Sequence, residues 1–378
     1  MKGATHSTKY STNSRLYLAF ELGEKQWKLA FTVSLGQKPW KRTIEARDMV
    51  GLDRAIHMAK KRLGLPEECA VLSCYEAGRD GFWLHRYLVS QGIENVVVDS
   101  ASIEVNRRSK QIKTDRLDVG KLVRMLVRYA SGEKQVWSVV HVPSVVVEDQ
   151  RQLHRALATL KVDRTRYINR IKGLLASQGV HLAVQADFLS QLAGVRLWDG
   201  AGLPPGLRAR LEQEYTGLQF VEQHIQALEA ERRELLRTSQ EPYVAQVRQL
   251  LRLRGIGPQS AWQFVTEFFS WREFRNRRQV GALAGLAPTP YRSGDEEHEL
   301  GISKAGPSAI RGMAIEIAWG WLRFQPESEL SRWYWQRFGQ GSKRVRKMGI
   351  VALARKLLIA FWHYLEDGVI PAGAQLKA

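Results

Sequence analysis

Two short, almost wholly apolar runs in the first part of the chain constrain its fold most strongly. They are AVLSCYEA at 70–77 and NVVVDS at 95–100, and the helical pattern GFWLHRYLVSQG at 81–92 separates them. Strands that are apolar throughout need cover on both faces, and their alternation with helices is typical of α/β proteins. The pattern therefore predicts a mixed α/β domain whose central strands lie between helical layers.

Shorter patterns complete this first domain. LYLAF at 16–20 and WKLAFTV at 27–33 are separated by Glu21-Leu22-Gly23-Glu24, which predicts a β-hairpin. TIEA at 43–46 predicts a further strand, and a helical pattern follows over 52–63. The run KTDRLDVGKLVRMLVRYA predicts another helix, with Thr114 as its N-cap.

The middle of the chain has a different apolar period. Two series of apolar residues recur every seven positions: Leu153, Leu160, Tyr167, Leu174 and, after the break DGAGLPPG, Leu211, Leu218, Ile225. Two long amphipathic helices joined by a turn-rich segment indicate a coiled-coil hairpin, with ordinary helices packed on a domain core as the alternative. We therefore expect three regions: an α/β domain at 1–145, a helical arm at 146–245 and a mostly helical domain at 246–378.

The charge balance favours a polyanionic partner. The chain has 57 Lys and Arg against 38 Asp and Glu, a formal net charge of +19, which is typical of proteins that bind nucleic acid. The start MKGATHSTKYSTNSR lacks the apolar segment of a secretory signal, and the apolar run near the C-terminus is interrupted by Arg355 and Lys356. With only Cys69 and Cys74, the chain is predicted to be soluble and cytoplasmic.

Acidic residues follow the predicted strands and open a predicted helix. Glu21 follows LYLAF, Glu76 ends VLSCYE, Asp99 ends NVVVD, and Asp115 and Asp118 lie three residues apart. Catalytic groups of α/β domains gather at the carboxyl ends of strands, and helical residues i and i+3 share a face. Such carboxylates would suit Mg²⁺ or Mn²⁺ and phosphodiester chemistry. The alternative is that the helical pair are surface acids favoured by the helix dipole.

Two motifs in the last third of the chain offer further chemistry. LLRLRGIGPQSA at 250–261 resembles a helix-hairpin-helix element whose glycine turn presents backbone N–H groups to a DNA phosphate. The alternative is a plain turn that needs positive φ at Gly255 or Gly257. The segment at 285–311 holds Ser293, Lys304 and Arg311. Ser293 is a candidate nucleophile towards phosphate, with the two cations stabilising the charge, and the alternative is an ordinary Ser-Gly turn.

Together these motifs resemble one family along nearly the whole chain. CYEAGRDG, KTDRLDVGKL, LRGIGPQSA, WREFRNRRQVGALAGLAP, YRSG and GISKAGPSAIR occur in that order. They are similar to the DEDD transposases of the insertion-sequence family numbered one hundred and ten, which are described as bridge-RNA-guided serine recombinases. The resemblance implies a RuvC-like (RNase H-like) N-terminal nuclease domain, a coiled-coil arm and a mostly α C-terminal transposase domain.

The resemblance also implies site residues. Glu21, Glu76, Asp115 and Asp118 would be the metal ligands for Mg²⁺ (or Mn²⁺), and Ser293 would be the nucleophile that forms a phosphoserine intermediate. Glu21 departs from the family pattern, which has aspartate there. The extra methylene carries its carboxylate further from the backbone.

Partners follow from the same resemblance. Members act on double-stranded donor and target DNA with a guide (bridge) RNA, as homo-oligomers (dimer or tetramer), and no membrane is involved. Candidate nucleic-acid-binding residues lie in basic or glycine-rich motifs: Arg107, Arg108, Lys110, Lys113, Gly255, Gly257, Lys304, Arg311, Lys343, Arg344, Arg346 and Lys347. The expected function is insertion-sequence transposase and recombinase. The alternatives are a Holliday-junction endonuclease that uses water and a non-catalytic nucleic-acid-binding protein.

Overall fold

The computed structural model describes residues 15–99, 102–103, 119–293 and 296–377, with backbone alone at 289–293 and 296–300. The chain divides into two compact units between Val142 and Pro143. Several predicted site residues lie outside the described residues: Arg107, Arg108, Lys110, Lys113, Asp115 and Asp118.

The first unit is built on one mixed sheet. Its elements are β1 (Leu16–Leu22), β2 (Gln26–Thr32), β3 (Trp40–Glu45), α1 (Met49–Leu63), β4 (Val71–Glu76), α2 (Trp83–Ser90), β5 (Glu94–Val98) and α3 (Val119–Ala130). The strand order is β3-β2-β1-β4-β5. β1, β4 and β5 are parallel neighbours, whereas β2 runs antiparallel to both β1 and β3. This confirms the predicted mixed α/β domain.

Helices cover both faces of this sheet, and successive residues of β1 pack into the hydrophobic cores on opposite faces. Phe20 belongs to the core formed with α1 and α2, and Ala19 belongs to the core formed with α3. The helix α1 begins where Asp48 accepts a hydrogen bond from the Gly51 N–H (2.7 Å), and it ends at Gly64, whose φ of 68° is left-handed. The prediction that both faces are covered is therefore confirmed.

Two predicted strand ends need correction. β1 continues through Glu21 to Leu22 because its ladder with β2 extends to the Leu22–Trp27 pair. Glu21 is therefore a strand residue and does not lie in the hairpin turn. β5 ends at Val98, so Asp99 follows the strand and does not end it.

The second unit is mostly helical. Its elements are α4 (Val145–Gln150), α5 (Gln152–Ala176), α6 (Phe188–Ala193), α7 (Pro205–Thr238), α8 (Pro242–Leu251), α9 (Pro258–Phe264), a π-helix (Val265–Phe269), α10 (Arg277–Leu283), β6 (Pro288–Ser293), β7 (Glu296–Ile302), α11 (Ser308–Phe324), α12 (Glu329–Phe338) and α13 (Lys343–Asp367). β6 and β7 form an antiparallel hairpin.

Helices α5 and α7 pack along each other as the predicted helical hairpin, which we call the arm. In α7 the predicted heptad positions Leu211, Leu218 and Ile225 are buried. In α5 the deepest positions are the interleaved Leu157 and Ile171. The connection between the two helices is not only turn-rich, because it contains α6, whose Phe188 packs into the arm core.

Aromatic and aliphatic side chains form the core beyond the arm. Trp262, Phe268 and Trp321 are buried there, together with Leu357 and Phe361 of α13. Among the described residues, α13 is the one helix long and apolar enough to cross a membrane by length and composition. Its burial in this core identifies it as a core helix of the unit.

Candidate active site

Glu21 and Glu76 lie side by side at the carboxyl end of the parallel strands. The β1–β4 register pairs Phe20 with Tyr75, so the two glutamates occupy the next position on neighbouring strands. Side chains alternate along a strand, so these carboxylates share the sheet face of Ala19, which is the face covered by α3. The fold therefore brings together two acids that are far apart in sequence.

The two carboxylates have different electrostatic surroundings. Burial raises the pKa of the Glu76 carboxyl above its ordinary value, and the nearby negative charge of Glu21 raises it further. Lys28, which lies opposite Glu21 in the ladder, donates to Glu21 Oε1 (3.2 Å) and Oε2 (3.4 Å). Within the described part of the chain, no cation forms an ion pair with Glu76. The raised pKa of Glu76 is therefore not offset by an ion pair with any described cation.

Asp99 lies at the same edge of the sheet, directly after β5. Its backbone N–H donates to the Ser138 carbonyl (2.9 Å), and its own carbonyl accepts from Ser102 Oγ (2.7 Å). Among the residues that the structure describes, no three His, Cys, Asp or Glu side chains form a metal-binding group. Val119, the first described residue after Asp118, is 1% exposed and packs on the sheet face that carries the two glutamates.

Ser293 and the two predicted cations lie at opposite ends of the β6–β7 hairpin. Ser293 is the last residue of β6 and pairs with Glu296, the first residue of β7. Lys304 and Arg311 follow the other end, where Pro288 pairs with Ile302. A six-residue strand spans about 17 Å between its end residues. The hairpin thus does not bring these cations next to Ser293.

Two glycine-containing segments, GLAP at 285–288 and SKAG at 303–306, pack closely against each other at the base of this hairpin. A Cβ on Gly285 would collide with the Ala305 carbonyl oxygen, and one on Gly306 would collide with that of Leu283. Both glycines have positive φ, and Lys304 between them has φ of 55°. Arg311 Nη1 donates to the Lys304 carbonyl (3.1 Å). The sequence stretches GLAP and SKAG therefore form one tightly packed backbone crossing.

The predicted glycine turn at 255–257 joins α8 to α9. Gly255 has the expected positive φ of 92°, with Phe324 Cβ 3.1 Å from a Cβ built there. Gly257 is extended, and its N–H donates to Ser260 Oγ (3.2 Å). Lys377 donates to the Ile256 carbonyl (2.6 Å). This turn is thus held by contacts within the second unit.

The predicted basic run at 342–347 opens α13. Ser342 is the N-cap, and its hydroxyl accepts from the Val345 N–H (3.4 Å). The side chains of Lys343, Arg344, Arg346 and Lys347 are all exposed. They form a cationic surface suited to phosphate groups.

Two charged groups were not anticipated from sequence. One is the partly buried ion cluster of Arg151, Arg155, Glu267 and Arg272, which we call the arm-root cluster because it joins the base of the arm to the π-helix. The other is a basic cavity beside β3. Its sequence signal is the run KPWKR at 38–42, which places an aromatic residue among cations.

A mixed sheet with paired carboxylates at the carboxyl ends of its parallel strands, followed by a helical unit with exposed cations, is consistent with an enzyme that acts on nucleic-acid phosphodiesters. Known proteins agree with this class. Residues 247–332 match the family model described as Transposase IS116/IS110/IS902 family. The chain is 40% identical over 378 residues to "Putative transposase y4rJ" of Sinorhizobium fredii, covering 96% of this chain and 94% of that one.

More distant relatives belong to named insertion sequences. The chain is 24% identical over 335 residues to the transposase for insertion sequence element IS1111A of Coxiella burnetii, covering 87% of this chain and 85% of that one. It is 27% identical over 239 residues to the transposase for IS1328 of Yersinia enterocolitica, covering 61% and 68%. The chain therefore belongs to the IS116/IS110/IS902 family of insertion-sequence transposases, enzymes that cleave and transfer DNA strands. The resemblance inferred from sequence is confirmed.

Proposed function

We propose that this transposase cuts and rejoins DNA with Ser293 as the nucleophile and with a carboxylate site formed by Glu21, Glu76, Asp115 and Asp118. The observation that supports it most is the juxtaposition of Glu21 and Glu76 at the carboxyl end of parallel strands, where Glu76 is half-buried. The strand order and the helices on both faces are consistent with an RNase H-like domain of the RuvC type.

The donor set fits a hard divalent cation. Carboxylate oxygens are the ligands that Mg²⁺ and Mn²⁺ prefer, and the mutual repulsion of Glu21 and Glu76 is relieved by a positive ion. Such an ion would polarise the scissile phosphate and increase the acidity of the attacking hydroxyl. The ion pair between Lys28 and Glu21 is weak because the Lys28 side chain is 60% exposed. Breaking this pair, so that the Glu21 carboxylate can bind the ion, therefore costs little free energy.

The chemistry assigned to Ser293 conserves phosphodiester bonds. Its Oγ attacks phosphorus, the bond to the deoxyribose oxygen breaks, and that oxygen leaves as a hydroxyl after taking up a proton. A deoxyribose hydroxyl of the partner strand then attacks the phosphoserine ester and releases the serine. One phosphate ester is made for each one broken, so the exchange needs no nucleotide hydrolysis.

Substitution of serine tests this proposal. Ser293→Ala should abolish both DNA cleavage and the covalent protein–DNA adduct seen on a denaturing gel. Ser303→Ala, a matched change on the segment after β7, should retain both. A water-using endonuclease would keep cutting with Ser293→Ala, and a non-catalytic binding protein would show no Mg²⁺-dependent cleavage in any form.

The carboxylate site is tested by Glu76→Gln, which keeps the size of the side chain and removes its charge. Cleavage should fall by at least about a hundredfold, since one charged group at the reacting phosphate is worth that much. Mixing Ser293→Ala protein with Asp115→Ala protein asks whether a homo-oligomer combines the two parts from different copies. Recovery of activity supports that arrangement, and no recovery counts against it.

We further propose that a guide RNA selects the donor and target DNA, in the bacterial cytoplasm. The formal charge of +19 and the exposed cations at the start of α13 support binding of more than one polynucleotide. A structured non-coding RNA encoded beside the gene should co-purify with the protein and direct cleavage to matching DNA. Cleavage that is unchanged after ribonuclease treatment would contradict this part of the proposal.

A further inference from the structure

A basic cavity lies at the edge of the sheet in the first unit. It lies between the segment that leads into β3, the last turn of α1 and the first turns of α3, and its volume is about 650 Å³. Four cationic side chains line it: Lys38, Lys41, Arg62 and Arg124. None of its lining residues carries a carboxylate, so within the described part of the chain this cavity is a concentrated positive site. Such a site attracts an anion.

An aromatic ring lies among these cations. Trp40 is partly buried, and its ring packs on Phe31 with ring centroids 5.3 Å apart. The Arg62 guanidinium lies 5.9 Å from the centroid of the Trp40 ring. An aromatic ring held by packing next to guanidinium and ammonium groups is the arrangement on which unpaired bases stack.

A third feature specifies the ligand further. The side-chain carbonyl oxygen of Gln37 is buried in this wall and has no hydrogen-bond partner among the residues that the structure describes. A buried acceptor without a donor is unfavourable, so a ligand that supplies an N–H or O–H gains affinity. A phosphodiester offers only acceptors, whereas a base amine or a ribose hydroxyl donates. The cavity therefore suits a ligand with both anionic oxygens and donor groups.

We propose that this cavity binds an unpaired nucleotide of a single-stranded polynucleotide. The phosphate lies among Lys38, Lys41, Arg62 and Arg124, the base stacks on Trp40, and a donor group of the nucleotide meets the Gln37 carbonyl. Bases in a duplex are already paired and stacked, so a duplex cannot occupy the site in this way. None of these residues belongs to the proposed cutting site, and the inference does not depend on the chemistry of Ser293.

The charge component is tested by binding of full-length protein to short oligo(U) and oligo(dT) over a range of salt concentrations. Arg62→Ala and Lys38→Ala should each weaken binding, and each should reduce the slope of log affinity against log salt by about 0.7. Arg54→Ala removes the same charge from an exposed position on α1 outside the cavity, and its slope should stay unchanged. Equal effects of all three substitutions would overturn the proposal.

The stacking component is tested by ultraviolet crosslinking and mass spectrometry. The crosslink should map to the peptide that contains Trp40, and Trp40→Ala should remove it and lower affinity by about 5- to 150-fold. Trp40→Phe, which keeps an aromatic ring on Phe31, should retain most of the binding and shows whether the fold is intact.

Stronger crosslinking of oligo(U) than of oligo(dT) identifies the bound nucleotide as part of an RNA. The reverse result identifies it as part of a single-stranded DNA. Crosslinks confined to other peptides, or a duplex that competes as well as a single strand, would refute the assignment. Because the assay measures binding and not cleavage, its failure leaves the proposed recombination chemistry standing, and the converse also holds.

Discussion

The arm-root cluster depends on one carboxylate, so Glu267→Gln should destabilise the second unit strongly. Arg151 donates to Glu267 from Nε (3.1 Å) and Nη2 (2.6 Å), and Arg155 donates from Nε (2.7 Å) and Nη2 (3.0 Å). The side chains of Arg151 and Glu267 are only 10% and 17% exposed. Burial acts to raise the pKa of Glu267, but the hydrogen bonds and charges of the two arginines outweigh it and lower the pKa from 4.5 to about 2.

The magnitude follows from that pKa. A fall from 4.5 to about 2 corresponds to about 3 kcal/mol of stability at neutral pH. Removal of one partner of a buried ion pair typically costs about 3–5 kcal/mol, which agrees. Because the folded pKa lies below the unfolded one, this stability is present above about pH 4.5 and is lost as pH falls towards 2.

The assay is amide hydrogen exchange in α5 and the π-helix, which reports on this unit separately from the sheet domain. Glu234→Gln is the control, because Glu234 also accepts two hydrogen bonds from one arginine, Arg237 (3.1 and 2.8 Å), but at an exposed position. Its loss should stay below about 1 kcal/mol. A Glu267→Gln penalty no larger than the control, or one that does not shrink between pH 7 and pH 3, would refute the reasoning.

Three further outcomes are expected. Burial lowers the pKa of His154 to about 4, so protonation of the unfolded chain should remove up to about 3 kcal/mol of stability as pH falls from 6.5 to 4; His154→Leu should abolish this loss in denaturant titrations. Gly306→Ala should lower the melting temperature more than Gly301→Ala, because both have positive φ but only the first meets a backbone oxygen. Glu21→Gln should lower the pKa of Glu76, measured by carbon NMR of its carboxyl, without restoring the ordinary value, since burial is the larger cause of the shift.

The sequence predicted elements better than it predicted which elements meet. The strands around Glu21 and Glu76 follow from local apolar patterns, but their alignment depends on the Phe20–Tyr75 register, which joins distant segments. The heptad pattern likewise predicted α5 and α7, whereas the six-residue α6 between them is too short to show an apolar period.

Glycines show the same limit. Positive φ at Gly255 was predictable from the GIG pattern, because a tight turn between helices needs it. The partners of Gly285 and Gly306 were not, because each glycine makes room for the backbone of the other segment. The Arg151–Glu267 ion pair could not be predicted from the sequence either. Charged residues on predicted helices are expected to face solvent, and only the tertiary packing buries these two.

Glu267 and Glu76 differ in how the fold surrounds a partly buried carboxylate. Both carboxylates are partly buried, and burial alone raises the pKa of each. At Glu267 the hydrogen bonds and charges of two arginines outweigh the effect of burial, so the pKa falls. The carboxylate is thus kept charged by contacts within the fold. At Glu76 burial raises the pKa, and the negative charge of Glu21 raises it further. In the proposed metal site, a cation bound between Glu21 and Glu76 would offset the mutual repulsion of these two carboxylates.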